Sequence, residues 1–199
     1  MIVKHKMTGS ATALSTFCIV CCVVSGCQAG GGVIETFDRS SGLTIVTDRM
    51  PAVFARTQGR YSRSARDYLY LGPVEVNERG IREYHLWVGV ASTLDKDFLA
   101  AELTEPRTLV LDIGGAPVEF ELRRWNDRLP RLAGQHIYEP PVAPSFTFSA
   151  RMTLDQLELI SSSPLVGAWI VSDQTSTVRY SLWAESPSWP AFSTYAGIR

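Results

Sequence analysis

The chain has 199 residues, 45% of them hydrophobic and 20% charged, with a formal net charge of −1. That balance excludes wholesale disorder and leaves ample chain for one domain with a buried core. Apart from Lys4 and Lys6, 17 basic side chains face 20 acidic ones, a mildly acidic balance without the footprint of a dedicated nucleic-acid binder.

Met1–Lys6 is a short positive segment, with His5 between the two lysines. Residues 11–24 are then mostly small or apolar, and include Phe17, Ile19, Val20, Val23 and Val24. This run has the length of a signal-peptide core and is too short and interrupted for a spanning helix. It ends in Val24-Ser25-Gly26-Cys27, a branched apolar residue, two small residues and a cysteine. Together these features resemble the export signal and lipobox of bacterial lipoproteins, over residues 1–27. The resemblance implies cleavage before Cys27, a diacylglycerol thioether on its sulfur and acylation of the new amine. Two or more acyl chains are what makes such an anchor stable. Gln28 stands where an inner-membrane retention signal would have Asp, so the resemblance further implies the periplasmic side of the outer membrane.

Residues 1–26 are therefore expected to be a signal peptide, 27–34 a flexible tether through Gly30-Gly31-Gly32, and 35–199 a single β-rich domain. A phosphate cradle is not expected at the glycines, because no strand precedes them and no Gly-Lys-Ser/Thr follows. Cys18, Cys21, Cys22 and Cys27 are the only cysteines, so a chain cut before Cys27 has no thiol for a disulfide, a metal or a nucleophile in its domain.

Along the domain, Leu43–Thr47 is the first expected strand. Arg56, Arg60, Arg63 and Arg66 then make the one concentration of charge, with Asp67 the nearby acid. Gly59 and the serines favour a solvated loop, and as a surface the cluster suits an acidic partner or lipid phosphates. Tyr68–Val76 is apolar and aromatic, but Gly72-Pro73 predicts an edge position, a bulge or two short strands. Arg82–Val90 sets Tyr84, Leu86, Val88 and Val90 on one face and Glu83, His85 and Trp87 on the other. Asp95–Leu103 suggests a short helix. Thr108–Ile113 and the alternation of Val118, Phe120 and Leu122 with Glu119, Glu121 and Arg123 form a hairpin through Gly114-Gly115, which supplies the positive φ angles of a tight turn. Phe146–Met152, Leu165–Val171 and Thr177–Trp183 complete the strands. Between them Thr153 and Gln156 make a capping-box pattern for one helix, with Leu154, Leu157 and Ile160 as its stripe and Ser161–Pro164 as its end. Many short strands and one late helix predict a mainly β fold, an antiparallel β-sandwich or partly open barrel with one short helix near 153–161.

Chemistry-bearing motifs are sparse. His85 and His136 are the domain's only histidines, and surface or packing roles suit them better than catalysis or metal binding. Neither a G-x-S-x-G elbow nor an S-x-x-K pair is present. Asp95 and Asp97 lack a calcium-loop continuation. Trp87 and Trp125 sit out of phase with their strands' apolar faces and are the candidates for a ligand platform, against packing in the core or at its rim. The tail around Trp189, Phe192 and Tyr195 is apolar enough to dock on the domain or meet a partner. The expectation is a non-enzymatic envelope lipoprotein with no catalytic residue, metal or cofactor, held to lipid through acylated Cys27 and binding an envelope protein or acting structurally. A small-ligand or glycan-binding lipoprotein is the alternative, and a hydrolase stands third.

Overall fold

A computed structural model describes residues 32–57, 65–94, 108–163, 165–173 and 176–183. Among the described residues eleven strands form one antiparallel sheet: β1 Val33–Asp38, β2 Leu43–Asp48, β3 Ala52–Thr57, β4 Arg66–Glu78, β5 Ile81–Ser92, β6 Thr108–Ile113, β7 Ala116–Glu121, β8 Arg123–Arg124, β9 Phe146–Met152, β10 Leu165–Asp173 and β11 Ser176–Leu182. The order is β7-β6-β10-β11-β3-β4-β5-β9-β8, with β1 on β2 and β2 on β4. Only Leu122 separates β7 from β8 in the chain, so the two ends of this order meet and the sheet is a nearly closed barrel. Two short helices accompany it, α1 Trp125–Arg128 and α2 Leu154–Ser162, with a 3-10 turn at Pro130–Leu132.

The expected mainly β fold is what forms, and the barrel rather than the sandwich is its architecture. Its interior is filled by one cluster that includes Phe54, Leu69, Leu71, Leu86, Val88, Leu109, Leu111, Phe148 and Ile170. Helix α2 packs on this cluster through Leu157 and Ile160. Its capping box is complete, with Thr153 Oγ1 accepting the Gln156 N–H at 3.2 Å and Gln156 Oε1 accepting the Thr153 N–H at 2.9 Å. Leu154, expected on the same stripe, is instead exposed. At roughly 100° per residue it lies about 120° round the helix from Ile160, at the margin of the buried face.

The β6–β7 hairpin turns on Gly114 and Gly115, at φ 60° and 90°, as its sequence predicts. Two strands escaped the sequence pattern. β1 covers residues assigned in part to the tether, and β3 covers Ala52–Thr57 next to the arginine cluster. The expected helix at 95–103 lies outside the described residues.

Gly72-Pro73 does not end or split a strand. β4 runs unbroken through both, paired with β5 along its whole length. On its other side β3 pairs with residues 66–71 and β2 with residues 74–77, so Gly72 and Pro73 fall at the handover between two partners. The next rung after Thr47↔Val74 would pair Asp48 with Pro73, which has no N–H to give. The Tyr138 hydroxyl fills that rung, accepting the Asp48 N–H at 3.2 Å and donating to the Pro73 carbonyl at 2.6 Å. The Tyr138 ring reaches this place because residue 72 is glycine; a Cβ there would sit 2.4 Å from ring carbons.

Candidate functional site: a strap across the outer face of the barrel

Tyr138 belongs to the segment between β8 and β9, which crosses the outer face of β2, β4 and β5. That face is unusually apolar, with Leu43, Ile45, Tyr70, Val74, Val76, Trp87 and Ala91 all buried against Trp125, Leu132 and Tyr138 of the strap. The outer side of β5, read as its more polar face, is therefore a second core. Each ring has room made for it in the sheet. Trp87 leans over Gly89, whose absent side chain would meet the indole at 2.5 Å, and packs on Tyr138 with ring centroids 5.1 Å apart.

Trp87 and Trp125, the predicted ligand platform, are brought together here but are not open faces. Only 3% and 2% of their surfaces remain exposed, because the strap lies over one and supplies the other. They instead wall a pocket of about 240 Å³ together with Gln135, the exposed His136, Tyr138 and Pro144. A second pocket, of about 360 Å³, opens toward the β4–β5 turn, between Leu43, Val76, Ile81 and Glu83 of the sheet and Arg128 to Leu132 of the strap.

Between strap and sheet lies a group of buried polar atoms. His85 Nδ1 and Nε2, Ser149 Oγ, Trp125 Nε1 and Arg128 Nε have no hydrogen-bond partner among the described residues. Ser149 pairs in register with Trp87, two residues from His85 on β5, so Ser149, His85 and Trp87 share the covered face. Burial holds the His85 imidazole below its ordinary value, while Glu83, 3.5 Å from Nε2, pulls the other way. The His85 side chain is thus buried, and its neighbour Ser149 is enclosed with it rather than presented to solvent. The strap is also tied to the β1–β2 turn. Asp38 accepts from Ser40, Ser41 and Gln135, and the Ser41 hydroxyl first among them holds its carboxyl well below the usual carboxylate range.

The arginine cluster is only partly described. Arg56 reaches Asp67, its cross-strand partner, through Nε at 2.7 Å and an Nη at 2.6 Å, and Asp67 is fully buried and also accepts from Ser92. Arg66 stacks its guanidinium 4.4 Å from the Trp183 ring centre. Both therefore hold the fold together rather than standing out as a charged surface. Arg60 and Arg63 lie outside the described residues, as do the lipobox residues Val24, Ser25, Gly26 and Cys27, the Asp95–Asp97 pair and the tail beyond residue 183.

The first strand offers a different surface, one the sequence reading missed. The Arg49 N–H donates to the Gly32 carbonyl at 2.9 Å, which makes Val33↔Asp48 a pair without direct bonds. By alternation Ile34 and Thr36 bond to β2, while Val33, Glu35 and Phe37 aim their backbone N–H and C=O groups away from it. No strand pairs with that edge among the described residues. Its side chains are exposed too, with Phe37 61% accessible and Ile34 42%.

Among the described residues no three His, Cys, Asp or Glu side chains gather as a metal site, and no helix is long and apolar enough to cross a membrane. No family model, no curated protein and no solved structure matches this chain.

Proposed function

We propose that the chain is an exported bacterial lipoprotein, anchored by acylated Cys27 on the periplasmic side of the outer membrane, whose barrel is a non-enzymatic module that binds an envelope protein by adding a strand to β1. The observation that carries the binding part is the β1 edge, where no strand pairs among the described residues and where Val33, Ile34 and Phe37 are exposed beside the outward backbone groups. Soluble proteins rarely leave an apolar edge strand bare, and an extended partner segment satisfies both its hydrogen bonds and its side chains. The engagement of Arg56 and Arg66 within the fold favours this edge over the arginine cluster as the partner surface.

Two experiments test the two parts separately. The intact mass of membrane-extracted protein should show a chain starting at Cys27 with added acyl mass, lost in Cys27→Ala; an unlipidated chain cut elsewhere removes the anchor. A photo-crosslinking residue at Phe37 should give a discrete protein adduct in cells, absent from the same residue placed at Glu119. Glu35→Pro deletes an outward N–H without touching the ladder to β2 and should abolish that adduct. An adduct that persists undiminished rules out strand addition.

The pocket between Trp87, Trp125 and Tyr138 supports a second reading, a small-ligand or glycan-binding lipoprotein. Tryptophan fluorescence that responds saturably to one member of a sugar panel would place it ahead; a flat response across the panel removes it.

A further inference from the structure

The larger of these two pockets has on its wall a half-buried cation that is only loosely paired among the described residues. Among the described residues, Arg123, Arg128 and Arg151 share the carboxylates of Glu83 and Glu121. Arg151 takes Glu83 at 3.1 Å and Arg123 takes Glu121 at 3.0 Å. Arg128 is left with Glu121 at 3.8 Å, beyond hydrogen-bond reach, and its Nε has no acceptor among the described residues. Its side chain is only 16% exposed, so water compensates that charge poorly. The remaining pair on the pocket wall, Arg131 with Glu78 at 2.6 Å, is neutral as a unit. Among the described residues, the cation at the edge of the pocket thus has one long ion pair, to Glu121, and an Nε without an acceptor. The rest of the lining is apolar, with Leu43, Val76 and Leu132 as the floor and Ile81 and Leu129 at the sides.

We propose that this pocket binds an amphiphilic anion, a carboxylate or phosphate monoester head on a short apolar chain, with the head on Arg128 and the chain over Leu43, Val76 and Leu132. A cationic amphiphile has no free carboxylate to meet, because Glu78 and Glu83 are both engaged. A fully polar anion would leave the apolar floor uncovered, and a neutral hydrocarbon would leave the guanidinium as it is. The head completes Arg128 by a charge-assisted hydrogen bond, which is the strong kind in a partly buried site. Burial first, and then the nearby Arg123, push the Arg128 guanidinium below its ordinary value, against the opposite pull of Glu121 and Glu83. This pocket lies apart from the β1 edge, so the inference stands or falls independently of the anchor and of strand addition.

The test uses the full chain in phosphatidylcholine nanodiscs, irradiated with a diazirine-bearing decanoate and mapped by peptide mass spectrometry. Adducts should fall on residues 76–83 and 129–132, and decanoate should displace them while decyltrimethylammonium does not. Arg128→Gln should lower labelling about 10- to 100-fold, the range lost with one hydrogen bond to a charged group, and leave Tm unchanged or raised. Ile81→Glu, at the exposed rim, should lower labelling without affecting folding. Displacement by free decanoate alone assigns a soluble amphiphile, and displacement by vesicles of anionic phospholipid alone assigns a membrane lipid. The proposal is overturned by labelling that neither displaces, by equal displacement by the cation, by undiminished labelling of Arg128→Gln, or by a fall in its Tm that marks the arginine as structural.

Discussion

Replacing Tyr138 with Phe removes one oxygen and keeps the ring, which isolates the hydroxyl's part in closing the sheet. That oxygen accepts from the Asp48 N–H and donates to the Pro73 carbonyl, and Asp48 and Pro73 are both buried. Each buried backbone group left without a partner costs about 1–3 kcal/mol. Water cannot easily replace the hydroxyl, because the ring still blocks the approach over Gly72. If the sheet closes slightly, a long bond from the Asp48 N–H to the Pro73 carbonyl recovers part of that two-group loss. The expected destabilisation is therefore about 2–3 kcal/mol, or a Tm lower by roughly 4–12 °C for a domain of this size. Urea titration followed by far-UV circular dichroism gives the free energy, with an unchanged m-value expected because no new surface is exposed. Gly72→Ala should destabilise as well, since its Cβ meets the same ring at 2.4 Å. In combination the two changes should fall short of additivity, because both act on one ring position. A Tyr138→Phe protein within 0.5 kcal/mol of the parent would refute the view that this hydroxyl stands in for a rung of the ladder.

Three further outcomes follow from buried charge. Arg56→Gln leaves the fully buried Asp67 with only Ser92 of its described side-chain partners and should cost about 3 kcal/mol in chemical denaturation; a near-neutral result would mean the pair contributes no net stability. Asp48 has one carboxylate oxygen without a partner among the described residues, and burial raises its pKa above the ordinary 3.8 against the pull of the Arg49 and Met50 amides. A raised carboxyl destabilises the fold once pH climbs above that ordinary value, so Asp48→Asn should raise Tm at pH 7 and leave it unchanged near pH 3. His85 is depressed below 6.5, so its contribution is intact above that value and declines as pH falls through the depressed one. Thermal melts from pH 7 to pH 4 should therefore show a steeper loss for the parent than for His85→Gln; parallel curves would exclude His85 as the group responsible.

Local rules made much of this fold legible. The Gly114-Gly115 turn needs positive φ at both residues, the Thr153–Gln156 capping box is a two-residue code, and the strands at 108–113 and 146–152 are bounded by clear signals. What escaped depended on partners far away in the chain. Gly72-Pro73 reads as an interruption because the sequence does not show that β2 and β3 hand over there, nor that a tyrosine some 65 residues later supplies the missing bond. The strap hid the second core for the same reason. His85 and Trp87 look like a solvent face until residues 125–138 are laid over them. Trp87 and Trp125 were found as a pair by their phase, yet phase alone could not tell an open platform from a pocket wall. The one available hint was glycine at positions 72 and 89, each beneath an aromatic ring. Asp67 is the acid that the sequence sets near the arginines, but sequence spacing does not show that it pairs with Arg56 across the loop, because register there is set by the two strands.

The anchor and the open strand constrain each other. If Cys27 carries the lipid, Val33 lies six positions further along the chain, and a fully extended chain of that length spans about 20 Å. The N-terminal end of β1 is then held within that distance of the acyl attachment, on the membrane side of the molecule. A partner strand must reach its edge from within or just above the headgroup layer, so a partner that is itself membrane-bound meets this geometry more readily than a freely diffusing one. The strap packs on the sheet, and the Gln135–Asp38 bond ties it to the β1–β2 turn at the strand's other end. On the proposed reading the tether would fix where the edge works, while the barrel and strap would fix the shape that it presents. Lengthening the glycine run would weaken the first constraint and leave the second untouched, which separates recognition of a partner from the placement of the module that recognises it.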